Sequence, residues 1–159
     1  GISVGLATLT VTLYQLATAG GVFVGGILAD RVRQHHRVAM TGLAAAALCA
    51  ILASVTSPPA AVTVALVSAI GFAVGITTPS RDVLVRRATP AGATGKVFGV
   101  VYSGFDVGAL MAPLIYGALM DAHLAHLVFL VAAVPLAVGV FTVLGVRPRP
   151  PQVRTLREA

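Results

Sequence analysis

Gly25-Gly26-Ile27-Leu28-Ala29-Asp30-Arg31-Val32-Arg33-Gln34-His35-His36-Arg37 is the stretch whose reading decides the fold. A long apolar run precedes it and another follows it. Two helices of membrane length joined by so short a charged connection must reverse direction at a water boundary. The charges identify that boundary, and the apolar runs count the helices.

Working outward, each run is set against the roughly 20 mostly apolar residues that a helix needs to cross hydrocarbon. Five runs qualify: 3–28, 38–57, 60–78, 97–120 and 124–146. Lipid cannot satisfy open backbone groups, so these are helices and not strands. The chain is 57% hydrophobic and only 10% charged, where soluble domains carry roughly a quarter charged residues. It lacks the polar surface of a soluble helical domain. The expected fold is an all-α integral membrane protein with five transmembrane helices and a tail over 147–159, expected to lack fixed structure.

The basic residues sort by side. Arg31, Arg33 and Arg37 lie between the first two spans, and Arg81, Arg86, Arg87 and Lys96 between the third and fourth. Arg147, Arg149, Arg154 and Arg157 follow the fifth, which completes the 11 Lys and Arg residues of the chain. The turns at Pro58-Pro59 and Asp121–His123 carry none. Positive charge confined to alternate connections predicts that those three segments are cytoplasmic, with the C-terminus inside and the N-terminus outside. The setting this implies is multi-pass, in the plasma membrane, which for a bacterium is the inner membrane.

The connections have their own punctuation. Pro58-Pro59 stops the second helix. Pro79 follows the third span, and Ser80 to Ala88 is expected to continue helically past the membrane, with Asp82 and Arg86 paired at i,i+4. Thr89-Pro90 reads as a cap and first-turn proline of the next helix. His35-His36 reads as a solvated pair in a basic loop.

The net charge of +6 would suggest nucleic acid in a soluble domain. Here it belongs to one membrane face, and without Trp or aromatic-basic interleaving nucleic acid is excluded as a partner. Cys49 is the only cysteine, so no internal disulfide forms, and a lone thiol in an apolar run is packing. No basic segment precedes the first run, so it is not a signal peptide. His123 and His126 lack further ligands, so no metal is expected. Gly92–Lys96 fails as a phosphate loop because Pro90 and Val97 replace its first Gly and its Ser/Thr. No cofactor motif remains. Ser103-Gly104 lacks the surroundings of an intramembrane protease, and no enzyme is expected.

The hairpin over residues 26–37 resembles the cytoplasmic signature found between the second and third helices of each half of major facilitator superfamily transporters. That pattern runs Gly, two or three residues, Asp, Arg/Lys, one residue, Gly, then a basic pair. Gly26, Asp30 and Arg31 match it. Arg33 and Gln34 stand where the second Gly and a basic residue belong, as in the weakened form of C-terminal halves. Pro79-Ser80-Arg81-Asp82, Gly99–Tyr102, and Gly108 with Pro113 and Gly117 are also similar to this superfamily. The wording around residues 79–108 resembles the drug-efflux branch that includes fosmidomycin-resistance proteins.

The resemblance implies that the chain carries helices eight to twelve of twelve. It implies a secondary transporter moving a small solute, coupled to an ion gradient, whose missing N-terminal helices belong to the same protein. It implies that Asp30 caps a neighbouring helix end and pairs with a cation, Arg81 or Arg86 being candidates. A charged turn that only fixes topology is the other reading of this hairpin. A non-transporting membrane scaffold is the other reading of the whole chain.

Asp106 is the single acid well inside a span, roughly 15 Å from the basic end of its helix. A charged carboxylate at such depth costs about 2.5–3.5 kcal/mol. Gly99, Tyr102, Asp106 and Pro113 share one face, while Gly104, Gly108 and Ala112 form a small-residue face opposite. Asp106 with Tyr102 is a candidate for solute or proton handling; a protonated acid bonded to a neighbouring helix is the alternative. Thr8, Thr12 and Gln15 form a polar stripe on the first helix, suited to lining a cavity or to interhelical hydrogen bonds. Tyr14, Ala17, Gly21 and Gly25 form a small-residue stripe beside it. Gly71 and Gly75 on the third helix fit packing or bending.

Overall fold

A computed structural model describes residues 4–56 and 58–145. The expected tail over 147–159 lies outside them, as do the span-end residues Ser3, Ser57 and Val146. Five long helices form: α1 Val4–Arg31, α2 His35–Thr56, α3 Ala60–Ala88, α4 Thr94–Asp121 and α5 Val128–Gly145, the last preceded by a 3-10 turn at Ala125–Leu127. At about 1.5 Å per residue, the 28 residues of α1 exceed the hydrocarbon thickness, so its ends reach the headgroups. Large apolar side chains face outward, with Phe23 and Phe141 each 72% exposed. That is the surface lipid requires, and it suits a multi-pass membrane protein.

Glycine sets the closest approach. A Cβ built on Gly71 would lie 2.6 Å from the Tyr14 carbonyl oxygen, and one on Gly25 would lie 2.5 Å from that of Ile76. Gly75 meets the Thr18 carbonyl and Gly21 meets that of Phe72 in the same way. The α1 and α3 backbones therefore touch, which only Gly permits. Residue numbers rise together along this contact, so α1 and α3 run parallel.

Between them in sequence, α2 runs the other way. Its buried residues Ala39, Ala46, Ala50 and Ala53 repeat at helical spacing and form one small-residue face. Its other neighbour is α5: Gly139 sits against Leu43, and the Ser54 hydroxyl donates to the His126 carbonyl at 2.7 Å. The packing order across the bundle is α1, α3, α2, α5. α4 has no buried residue and reaches α3 near one end and α5 near the other.

This alternation gathers Arg31, Arg33, Arg37, Arg81, Arg86, Arg87 and Lys96 at one end of the bundle, called here the basic end.

Two local expectations are corrected. Thr89-Pro90 ends α3 and does not begin α4. The ring of Pro90 forces Thr89 into extended backbone (φ −81°, ψ 128°), as a residue before proline must be. The Thr89 hydroxyl then donates backward to the Val85 carbonyl at 2.7 Å. A turn closed by the Ala93 N–H on the Pro90 carbonyl follows, with Gly92 at φ +82° where a type II turn needs it. The second correction is His35, which is not a solvated loop residue. It opens α2 and is only 4% exposed.

Candidate functional site

The polar chemistry of the described residues concentrates where α3 meets α4 at the basic end. Pro79 lies inside α3 without ending it, and the next turn carries Ser80, Arg81 and Asp82. Ser80 is fully buried and its hydroxyl oxygen has no partner. Arg81 and Asp82 are each about a third exposed and form the one ion pair among the described residues. Both Arg81 donors, Nε at 3.2 Å and Nη2 at 2.9 Å, go to Asp82 Oδ1. That leaves Oδ2 free to accept the Tyr102 hydroxyl from α4 at 3.5 Å.

The other half of the contact is aromatic. Phe98, Tyr102 and Phe105 follow i, i+4, i+7 spacing and so share one face of α4. The Phe98 and Tyr102 rings stack at 6.0 Å, and Tyr102 and Phe105 lie 6.1 Å apart. The Arg81 guanidinium sits over the Phe105 ring at 4.5 Å, within cation–π range. Arg81 thus reaches Phe105 while its neighbour Asp82 reaches Tyr102. Two adjacent residues of α3 grip two residues of α4 about one turn apart. The rest of α4 buries nothing, so this clasp is its main hold on α3.

The sequence profile of the Major Facilitator Superfamily matches residues 1–159. The chain belongs to that superfamily. No curated protein and no solved structure matches it. Membership of the Major Facilitator Superfamily accounts for five long apolar helices in alternating directions, and the superfamily's fold points generally to transport.

The individual candidates fall as follows. Asp30 and Arg31 are exposed at the end of α1, and Asp30 makes no ion pair or hydrogen bond here. Gly26 has open space around it. Arg81 is turned to Asp82 and not to Asp30. Arg86 is exposed and makes no pair with Asp82, because the adjacent Arg81 has taken the carboxylate. Tyr102 is in the clasp, and Asp106, one turn further along α4, is exposed without a hydrogen bond among the described residues.

Thr12 and Gln15 are exposed on α1. The Thr12 hydroxyl bonds back to its own helix, at the Thr8 carbonyl, 2.9 Å away, and Thr8 does the same to Val4. The structure therefore brings Arg81 and Tyr102 together and leaves Asp30, Thr12 and Gln15 apart from them. Sequence reasoning missed Asp82 as the centre of the clasp and missed Phe98 and Phe105 entirely. The i, i+4, i+7 aromatic spacing was the signal that could have found them.

Proposed function

We propose that this chain is the C-terminal portion, helices eight to twelve, of a secondary active transporter. It moves a small solute or drug by alternating access, coupled to an ion gradient, with protons as the ion. The remaining helices come from upstream in the same protein, and the basic end faces the cytoplasm. The branch is the drug-efflux one, similar to fosmidomycin-resistance proteins.

Asp106 carries this reading. It is a carboxylate in the middle of an otherwise apolar helix, exposed and without a hydrogen bond among the described residues. Burying such a group in a membrane is costly, and a passive scaffold has no use for it. A group that must take up and release a proton or a solute is left uncommitted. Tyr102, one helical turn nearer the basic end, links that position to the clasp. Movement of α4 during alternating access then makes or breaks the Asp82–Tyr102 and Arg81–Phe105 contacts. Arg81 and Arg86 are the cations open to Asp30 when the hairpin holding Gly26, Asp30 and Arg31 approaches α3. Thr12 and Gln15 contribute polar lining from α1.

The test uses the full-length protein in proteoliposomes with a pH-sensitive dye inside and a proton gradient imposed. Ethidium and fosmidomycin serve as probes, and probe-dependent proton movement is measured. Asp106→Asn is expected to abolish that movement while probe exchange without a gradient persists. Unchanged coupled movement in D106N removes the role of Asp106. Absence of gradient-driven uptake of either probe in the unaltered protein counts against the efflux assignment.

A further inference from the structure

A cleft of about 270 Å³ lies between the basic end of α3 and the first turns of α4, lined by Asp82, Val83, Arg86, Thr94 and Phe98. Its charge is not what its residue types suggest. Asp82 is neutralised from outside the cleft, since Arg81 holds one carboxylate oxygen and Tyr102 approaches the other. Arg86 keeps its full charge, with no ion pair or hydrogen bond among the described residues. Arg87 and Lys96 flank the same connection and are equally unpaired. The cleft therefore offers one free guanidinium and the Thr94 hydroxyl, against a wall formed by Val83 and Phe98.

Size and position narrow the occupant. Sites for drug-sized solutes run to roughly 300–1,000 Å³, so this cleft holds a headgroup and not a whole transported molecule. It lies where α4 passes from its polar first turn, with Lys96 exposed, to lipid-facing residues such as Val100, which is 73% exposed. An occupant with an anionic head and an apolar tail meets both zones at once. Anionic lipid is attracted to basic segments at that boundary, and a guanidinium matches phosphate oxygens in a fork geometry.

We propose that this cleft binds the phosphate headgroup of an anionic phospholipid from the adjoining leaflet, with Arg86 on the phosphate, Thr94 on the headgroup oxygens, and Val83 and Phe98 against the first acyl carbons. The site rests on membrane placement alone and is independent of whether the protein transports.

Binding is read by native mass spectrometry on the intact protein in detergent. The probes are dioctanoyl phosphatidylglycerol, dioctanoyl phosphatidylcholine, inorganic phosphate and glycerol 3-phosphate. Phosphatidylglycerol is expected to bind about tenfold tighter than phosphatidylcholine. Arg86→Gln is expected to remove that preference, and Arg33→Gln, on the other hairpin, to keep it. Phe98→Ala weakens phosphatidylglycerol severalfold, with melting temperature measured in parallel to show the variant is folded; if it is not, Val83→Ser replaces it. Equal loss in R86Q and R33Q overturns the site in favour of diffuse surface charge. Competition by inorganic phosphate or glycerol 3-phosphate at the concentration of the lipid overturns it in favour of a soluble anion.

Discussion

Tyr102 on α4 presents its hydroxyl to Asp82 Oδ2 on α3 at 3.5 Å, while Arg81 holds the opposite oxygen of the same carboxylate. The two interactions are unequal. The tyrosine bond is at the long limit and is expected to contribute less than about 1 kcal/mol, below the usual hydrogen-bond range. The Arg81 contact has two donors and ionic partners. Asp82→Asn is therefore expected to lower the melting temperature more than Tyr102→Phe, which keeps the ring stack on Phe98. The double variant should resemble Asp82→Asn alone. Equal effects of the single variants would show that the tyrosine hydroxyl, and not Arg81, anchors the carboxylate.

Glycine substitutions on α3 and α4 should have opposite signs. Gly75→Ala places a methyl against the Thr18 carbonyl and near the Val22 nitrogen. Both are backbone atoms, so no rotamer change relieves the overlap. A loss of about 1–3 kcal/mol is expected. An added Cβ at Gly104 meets nothing within 4 Å, so Gly104→Ala in the 159-residue chain is expected to gain up to about 1 kcal/mol from helix propensity. Thermal unfolding in detergent compares the two. A loss in Gly104→Ala would show that the Gly104–Gly108 face of α4 is covered by another helix.

Helix count and direction were legible because hydrocarbon imposes them on composition: apolar length counts the spans and the Arg and Lys residues order them. The α1 stripe through Tyr14, Gly21 and Gly25 was legible for the same reason, since helix contact in lipid selects small residues. Individual partners were not legible. Asp82 and Arg86 have ideal i,i+4 spacing, yet Arg81, next in sequence, folds its guanidinium across Asp82 because Phe105 offers it a second surface. That choice depends on how α4 approaches α3, and no local pattern encodes the approach. His35 was misread because its neighbours Arg33, His36 and Arg37 are polar, whereas its burial is set by where α2 begins against α3.

His35 gives a further test. It is 4% exposed and its Nδ1 has no hydrogen-bond partner. A buried polar atom left unpaired costs about 1–3 kcal/mol. His35→Leu removes that atom and keeps most of the volume, so a gain of about 1 kcal/mol is expected, read as a higher melting temperature. His36→Leu, at a half-buried neighbour, is the comparison and should change little. A clear loss in His35→Leu would mean that Nδ1 has a bonding partner in the membrane-embedded protein.

The end of α4 supplies the last prediction. The Leu124 N–H bonds to the Leu119 carbonyl at 2.8 Å and the His123 N–H to the Met120 carbonyl at 3.0 Å, the paired bonds of a Schellman termination. His123 therefore occupies the left-handed position, with φ 59°. Glycine takes that conformation without penalty, while an L side chain pays about 1–2 kcal/mol. His123→Gly is expected to raise stability by up to about 1 kcal/mol, part of the relief being offset by the greater freedom of glycine in the unfolded chain. His123→Val should lower stability, because a β-branched residue tolerates positive φ least. The expected order of melting temperatures is Gly, then His, then Val. If His123→Gly is instead the least stable of the three, the imidazole makes a contact at this end of the bundle that outweighs the backbone strain.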